Sequence, residues 1–174
     1  VVKQRIEYIK NVSRLLSLNY RKLFDGEKEL TLRYKSFLGE LNSPTLDEIE
    51  GKIKKNYEKV KARELRYGYS LIGSQRDDFV FLLNDKEAKP YSSQGEKKSI
   101  VFALKISEID MIIKEKKEMP IFIIDDISSY FDSIRKGNIL KYFKKREIQL
   151  FISATSDLDI DAKRFYIDRG VIDG

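Results

Sequence analysis

The chain contains no cysteine and no histidine among its 174 residues. Without cysteine there can be no disulfide and no thiolate metal ligand. Without histidine there is no imidazole ligand and no imidazole general base. Any catalysis must therefore run on carboxylates, Lys, Arg, hydroxyls, amides or a bound metal. No apolar run approaches the roughly 18 residues needed to cross a bilayer, and the opening VVKQRIEYIK lacks the pattern of a signal peptide. A soluble protein with no membrane partner is expected. Internal repeats and low-complexity tracts are absent, and so is any G-x-x-x-x-G-K-[ST], the loop whose backbone cradles nucleotide phosphates.

What is present fits a folded globule: 41% hydrophobic and 11% aromatic residues, with 36% charged residues that imply a large solvated face or an extended helical element. The length suits one domain, with room for a smaller appendage. The net charge of +6 is unevenly placed. Residues 1–69 hold 16 Lys plus Arg against 10 Asp plus Glu, and residues 70–174 hold 18 of each. A basic appendage on a neutral core is the pattern of a nucleic-acid contact; a solvated helix face would give the same charge.

In chain order, Val2, Ile6, Ile9, Val12 and Leu16 follow helical spacing from the first residues, with no cap before them. That uncapped start implies a chain cut from something longer. After the turn Asp25-Gly26, the alternation Leu30, Leu32, Tyr34 predicts a half-exposed strand. Thr45-Leu46-Asp47-Glu48 fits a capping box opening a helix to about Tyr67-Gly68. Its basic residues include Lys52, Lys55, Lys59 and Arg63, and its narrow apolar stripe marks an arm more than a core helix.

From Gly73 the character changes. Arg76, Asp77 and Asp78 lead into a strand, Phe79 to Leu83, and are either a structural ion cluster or a phosphate or metal contact. Ser92, Ser93, Gln94 and Gly95 form a hydroxyl-rich turn before a helix reaching about Lys116. Backbone N–H groups at such a helix start favour anions, although the same residues also serve as a plain cap.

The next stretch is Pro120 to Asp132, PIFIIDDISSYFD. Ile121 to Ile124 read as a strand buried on both faces, in the middle of a parallel sheet. Asp125 and Asp126 end it where open α/β sheets bind ligands, and adjacent carboxylates there suit Mg²⁺ and a water-orienting group. Such strands also end in Asp for turn or capping reasons, so the stretch alone leaves both readings open. A helix from Ser133 to about Arg146, a buried strand from Ile148 to Ser153 and an edge strand from Lys163 to Ile167 complete the pattern.

The order of these motifs resembles the carboxyl-terminal half of an ABC-type ATPase head, most closely the RecF family. GSQRDD at 73–78 resembles that family's Gly-Pro-His-Arg-Asp-Asp, with Ser74 and Gln75 in place of Pro and His. SSQGEKK at 92–98 resembles its signature Ser-Gln-Gly-Gln-Gln-Arg, with Glu96 in place of the first Gln. DDISSYFD resembles the Walker B and D-loop run, and FISAT stands where RecF has Phe-Ile-Thr-Thr-Thr.

The resemblance implies an α/β fold: a mostly parallel sheet with flanking helices at 70–174 and a basic, mainly helical arm at 1–69. It implies that Asp125 holds Mg²⁺ and that Asp126 polarises the attacking water. Ser93, Gln94, Gly95 and Glu96 would contact ATP on the opposite protomer, Ser129 and Asp132 would belong to the D-loop, and Thr155 would take the switch position. The implied function is ATP-driven dimerisation that clamps DNA near gaps in cytoplasmic recombination, replication and SOS-response repair, with a RecR-type mediator as partner. Lys52, Lys55, Lys59 and Arg63 would contact DNA phosphates.

A negative charge at Glu96 would weaken the nucleotide sandwich unless Lys97 or Lys98 offsets it. Lacking the phosphate loop, the chain alone is expected to be inactive toward ATP. The competing expectation is a non-enzymatic dimerisation or partner-docking module. Another SMC-type head is disfavoured, since the helix from Thr45 to Tyr67 is far too short for the long heptad repeat of those proteins.

Overall fold

The computed structural model describes residues 1–41 and 43–173. It divides into two compact units, Val1–Pro120 and Ile121–Gly174.

In the first unit, helix α1 (Val2–Leu23) buries Ile9, Val12, Leu16 and Tyr20 along one face, as the three- and four-residue spacing requires. Strand β1 (Leu30–Lys35) contributes Leu30 and Leu32 to the same core. Helix α2 (Leu46–Tyr67) follows, then a 3-10 turn (Ser74–Arg76) and strand β2 (Asp78–Leu83), which pairs antiparallel with β1 from Leu30 opposite Leu83 to Lys35 opposite Asp78. The short β3 (Lys86–Glu87) returns on β2 through Asn84-Asp85, both at positive φ, the twist that a two-residue hairpin loop needs. A single helical turn, α3 (Ala88–Tyr91), leads to α4 (Gln94–Lys116), whose Ile100 and Ala103 close the core against α1.

Each fully buried Val or Leu here contributes about 1.5–3 kcal/mol relative to exposure. The polar groups caught inside are matched. Asn19 Nδ2 donates to Ser107 Oγ at 3.1 Å and to Asp110 Oδ2 at 2.9 Å, and Ser107 Oγ donates to Ala103 O.

The pairing of β1 with β2 and the packing of α1 on α4 put the expected boundary at 69/70 inside one compact unit; compactness changes at Pro120 instead. What stands out from this unit is α2. Only Ile49, in its first turn, is buried, against Val2 and Leu38. Leu46, Tyr57 and Leu65 remain exposed.

In the second unit, β4 (Phe122–Ile124) runs parallel to β5 (Leu150–Ile152), with Phe122 opposite Leu150. Between them lie α5 (Ile127–Tyr130) and α6 (Ser133–Arg146). Phe122 stacks on Phe143 at a centroid distance of 5.0 Å, and Ile124, Ile127, Ile139 and Phe143 are buried. Strands β6 (Tyr166–Asp168) and β7 (Val171–Asp173) form a hairpin through Arg169-Gly170, so the expected edge strand lies slightly later and acquires a partner.

The mixed helix and sheet and the parallel pair at Asp125 agree with the expected fold class; the other pairings among the described residues are antiparallel. The expectation of burial on both faces of β4 is corrected. Ile121 is 60% exposed, Ile123 is 72% exposed, and Phe151, opposite Ile123, is 51% exposed. Side chains alternate across a strand, and α6 meets the Phe122 face through Phe143. No helix among the described residues is long and apolar enough to cross a membrane.

Candidate functional site

The end of β4 is built by a register that only strand pairing can create. Ser153 follows β5 as Asp125 follows β4, and its backbone N–H donates to Ile124 O at 2.9 Å. Its hydroxyl donates to Asp125 Oδ1 at 2.6 Å and accepts the Asp126 backbone N–H at 2.7 Å. The Ile127 N–H then donates to Ser153 O at 3.1 Å. Ser153 thus fixes the turn in which both acids sit.

Asp126 adopts a left-handed backbone, φ 48° and ψ 59°, a conformation open mainly to Gly, Asn and Asp. As N-cap of α5, its carboxylate accepts the Ser129 N–H, and Ser129 Oγ donates to Asp126 O at 3.2 Å. Asp132 caps α6 by accepting the Arg135 N–H at 2.8 Å. Thr155 lies exposed in the loop after β5.

Asp125 is exposed and Asp126 half-buried. Among the described residues no group of three or more acidic side chains could hold a metal ion alone. One or two hard oxygen ligands are nevertheless what Mg²⁺ needs when waters and substrate phosphates complete its octahedron. The donor set at Asp125 and Asp126 fits such an ion.

The signature turn belongs to the first unit. Ser93 is the N-cap of α4 in a reciprocal capping box: its hydroxyl accepts the Glu96 N–H at 3.2 Å, and Glu96 Oε2 accepts the Ser93 N–H at 2.7 Å. Gln94 and Gly95 form the first turn, and Gly95 O accepts the Ser99 hydroxyl at 2.9 Å. Lys28, in the loop after α1, places Nζ 2.8 Å from Glu96 Oε1 and 3.2 Å from Asp25 Oδ2. That ion pair, with the Ser93 N–H, holds the Glu96 carboxyl down at about 2. The offsetting cation is thus Lys28, where the sequence pointed to Lys97 or Lys98.

The Arg-Asp-Asp cluster resolves in favour of structure at its centre. The Asp77 side chain is fully buried and accepts from Arg5 at 3.0 Å, from the Phe37 N–H at 2.8 Å and from the Tyr34 hydroxyl. Arg76 and Asp78 lie exposed.

On α2, Lys52, Lys55, Lys59 and Arg63 are exposed, and their spacing of three, four and four residues puts them on one face. The row spans about 16 Å. Lys52 also donates to Glu40 O at 3.0 Å.

Ser153, Lys28, Arg5 and Tyr34 were not singled out by sequence. Their partners are distant along the chain, and the one available signal was Glu96 itself, a charge in a turn that calls for a counter-ion.

No family model matches the chain. Among curated proteins it is 35% identical to the DNA replication and repair protein RecF of Geotalea uraniireducens (strain Rf4), over 90% of this chain and 43% of that protein. It is 30% identical to RecF of Bacillus cereus (strain G9842), over 99% of this chain and 48% of that one. Among solved structures, one described as the recombination mediator protein RecF-ATP in the RecFOR pathway superposes with a TM-score of 0.83 at 30% identity, covering 99% of this chain and 45% of that one. A second, described as RecF-ATPrS, gives 0.80 at 30% identity, covering 99% and 46%. The chain therefore spans less than half the length of each of these relatives. By sequence and by fold alike, it belongs to the RecF family, as the counterpart of the carboxyl-terminal part of those proteins.

Proposed function

We propose that this chain supplies the signature, Walker B and D-loop parts of a RecF-type ATPase that dimerises on ATP and clamps duplex DNA during recombinational repair. The observation that carries the reading is the strand end at Asp125 and Asp126, fixed by Ser153, in a chain 30–35% identical to RecF proteins.

In this reading Asp125 holds Mg²⁺ and Asp126 orients the attacking water. The bound ion would neutralise charge on the transferring phosphoryl group. Ser93, Gln94 and Gly95 present a hydroxyl and helix-start amides to the γ-phosphate held by a second protomer, with Glu96 completing the turn. Asp132 and Ser129 meet the partner at the D-loop, and Thr155 takes the switch position. The basic face of α2 follows DNA phosphates without reading sequence, and a RecR-type mediator is the protein partner. Capture of the β- and γ-phosphates requires a phosphate loop, so this chain by itself should not turn over ATP.

The test is ATP hydrolysis by a polypeptide in which this chain follows a RecF phosphate-loop half, with Asp126→Asn alongside. Loss of turnover in the variant, with DNA-stimulated turnover in the parent, supports the reading. Equal turnover removes Asp126 from the mechanism and moves the reading to a partner-docking module.

A further inference from the structure

The chain departs from the family signature at Glu96, Lys97 and Lys98, and Glu96 adds a negative charge at a turn read above as meeting a phosphate. The structure shows how both carboxylate oxygens are used. Oε2 takes the Ser93 N–H at 2.7 Å, a bond that a glutamine oxygen would also make, without the charge. Oε1 takes Lys28 at 2.8 Å, a bond that only an acid would make as an ion pair. The charge strengthens the cap bond as well, and its ion-pair partner is a lysine 68 residues earlier in the chain.

Lys28 is itself fixed, with Asp25 Oδ2 at 3.2 Å on the same Nζ. The Glu96 side chain is only 19% exposed, so solvent screens the pair incompletely. Without Lys28, the Glu96 carboxylate would lose its ion-pair partner at the start of α4. There the helix dipole and the amides that have no intrahelical partner would otherwise attract an anion.

We propose that Lys28 is a positioning residue for the signature turn: by pairing with Glu96 it cancels the added charge and keeps the α4 amides open to a phosphate oxyanion. This rests on the reading of the signature turn given under Proposed function. It also makes Lys28 and Glu96 a compensated pair, so that neither side chain acts alone.

The test is a titration of the ¹⁵N-labelled chain with tripolyphosphate, read at the Gln94 and Gly95 amides, for the wild type, Lys28→Ala, Glu96→Gln and the double variant. Residue-resolved shifts separate this turn from non-specific binding to the basic face of α2. The expected result is that Lys28→Ala weakens binding at these amides by about tenfold, that Glu96→Gln binds at least as well as wild type, and that the double variant returns to within about twofold of it. Rescue by Glu96→Gln is the readout that a merely structural role for Lys28 would not give, because removing the second partner cannot restore a broken ion pair. Equal binding by wild type and Lys28→Ala, a double variant as weak as Lys28→Ala, or no wild-type response at these amides would overturn the proposal. The outcome does not depend on Asp126 or on hydrolysis, so failure of the ATPase reading is seen separately in the turnover assay.

Discussion

The hydroxyl of Ser153 donates to Asp125 Oδ1 at 2.6 Å across the parallel pair β4 and β5, tying a carboxylate on one strand end to the neighbouring strand end. Because the same oxygen also accepts the Asp126 N–H, Ser153→Ala removes two bonds at once. At an exposed site the expected stability loss is about 1 kcal/mol. Turnover in the two-half polypeptide should fall by about tenfold or more, since both acids lose their common anchor. Ser153→Thr should keep most of both, as read by urea unfolding and phosphate release.

Asp126 has two structural duties besides any chemical one: a left-handed backbone and the cap of α5. Asn tolerates both, whereas Ala tolerates neither. Thermal unfolding should place Asp126→Asn within about 0.5 kcal/mol of wild type and Asp126→Ala about 1–2 kcal/mol below it. The Asn variant is therefore the one in which a kinetic defect reports chemistry.

Asp77 should be the most costly acid to remove. Its buried carboxylate accepts from Arg5, Tyr34 and the Phe37 N–H, and Asp77→Ala removes all three bonds, with Arg5 keeping its bond to Ser74 O. A loss on the order of 3 kcal/mol is expected in urea unfolding followed by far-ultraviolet circular dichroism. Asp78→Ala, at an exposed position, should lie within about 0.5 kcal/mol of wild type.

Glu96 sets a pH dependence with a definite sign. Its carboxyl is lowered from 4.5 to about 2, chiefly by Lys28. A lowered acid stabilises the fold fully above its unfolded value and loses that contribution as pH falls through the folded value. The stability gap between wild type and Glu96→Gln should thus be constant from about pH 5 to about pH 10 and close between roughly pH 4.5 and pH 2. Lys28 is raised above 10.5, first by the same bond, so its share is kept below that value and lost only at higher pH. Urea titrations at pH 6, 4, 3 and 2 read the acid side.

Replacing Lys55, Lys59 and Arg63 by Ala should leave thermal unfolding nearly unchanged, because these side chains are exposed. If they meet DNA phosphates, the slope of log affinity against log salt should flatten by about 0.9 for each phosphate that is no longer neutralised. An unaltered slope would move the DNA-binding face away from α2.

Much of this was legible locally. The capping box at Thr45, the hydroxyl-rich turn before α4 and the three- and four-residue spacing of α1 are signals contained within a few residues, and the helices appear where they point. The exposure of Ile123 was not legible, because an apolar run says that a strand can be covered on both faces and not what covers it. The Lys28–Glu96 and Tyr34–Asp77 bonds, 68 and 43 residues apart, depend on the packing of α1 and β1 against later elements. For the same reason Ser153 came to notice only through the register of β4 and β5.

Helix α2 has a mechanical consequence. It is about 33 Å long and is seated in the core through Ile49 at its first turn, while its far end is held to the chain just beyond by Glu64, which accepts the Leu71 N–H at 2.6 Å. A rod gripped near one end is a lever. A tilt of about ten degrees at the Ile49 seat would carry the Tyr67 end by about 5 Å. Small repacking among Val2, Leu38 and Ile49 would therefore be amplified to a displacement of about 4 Å at Arg63.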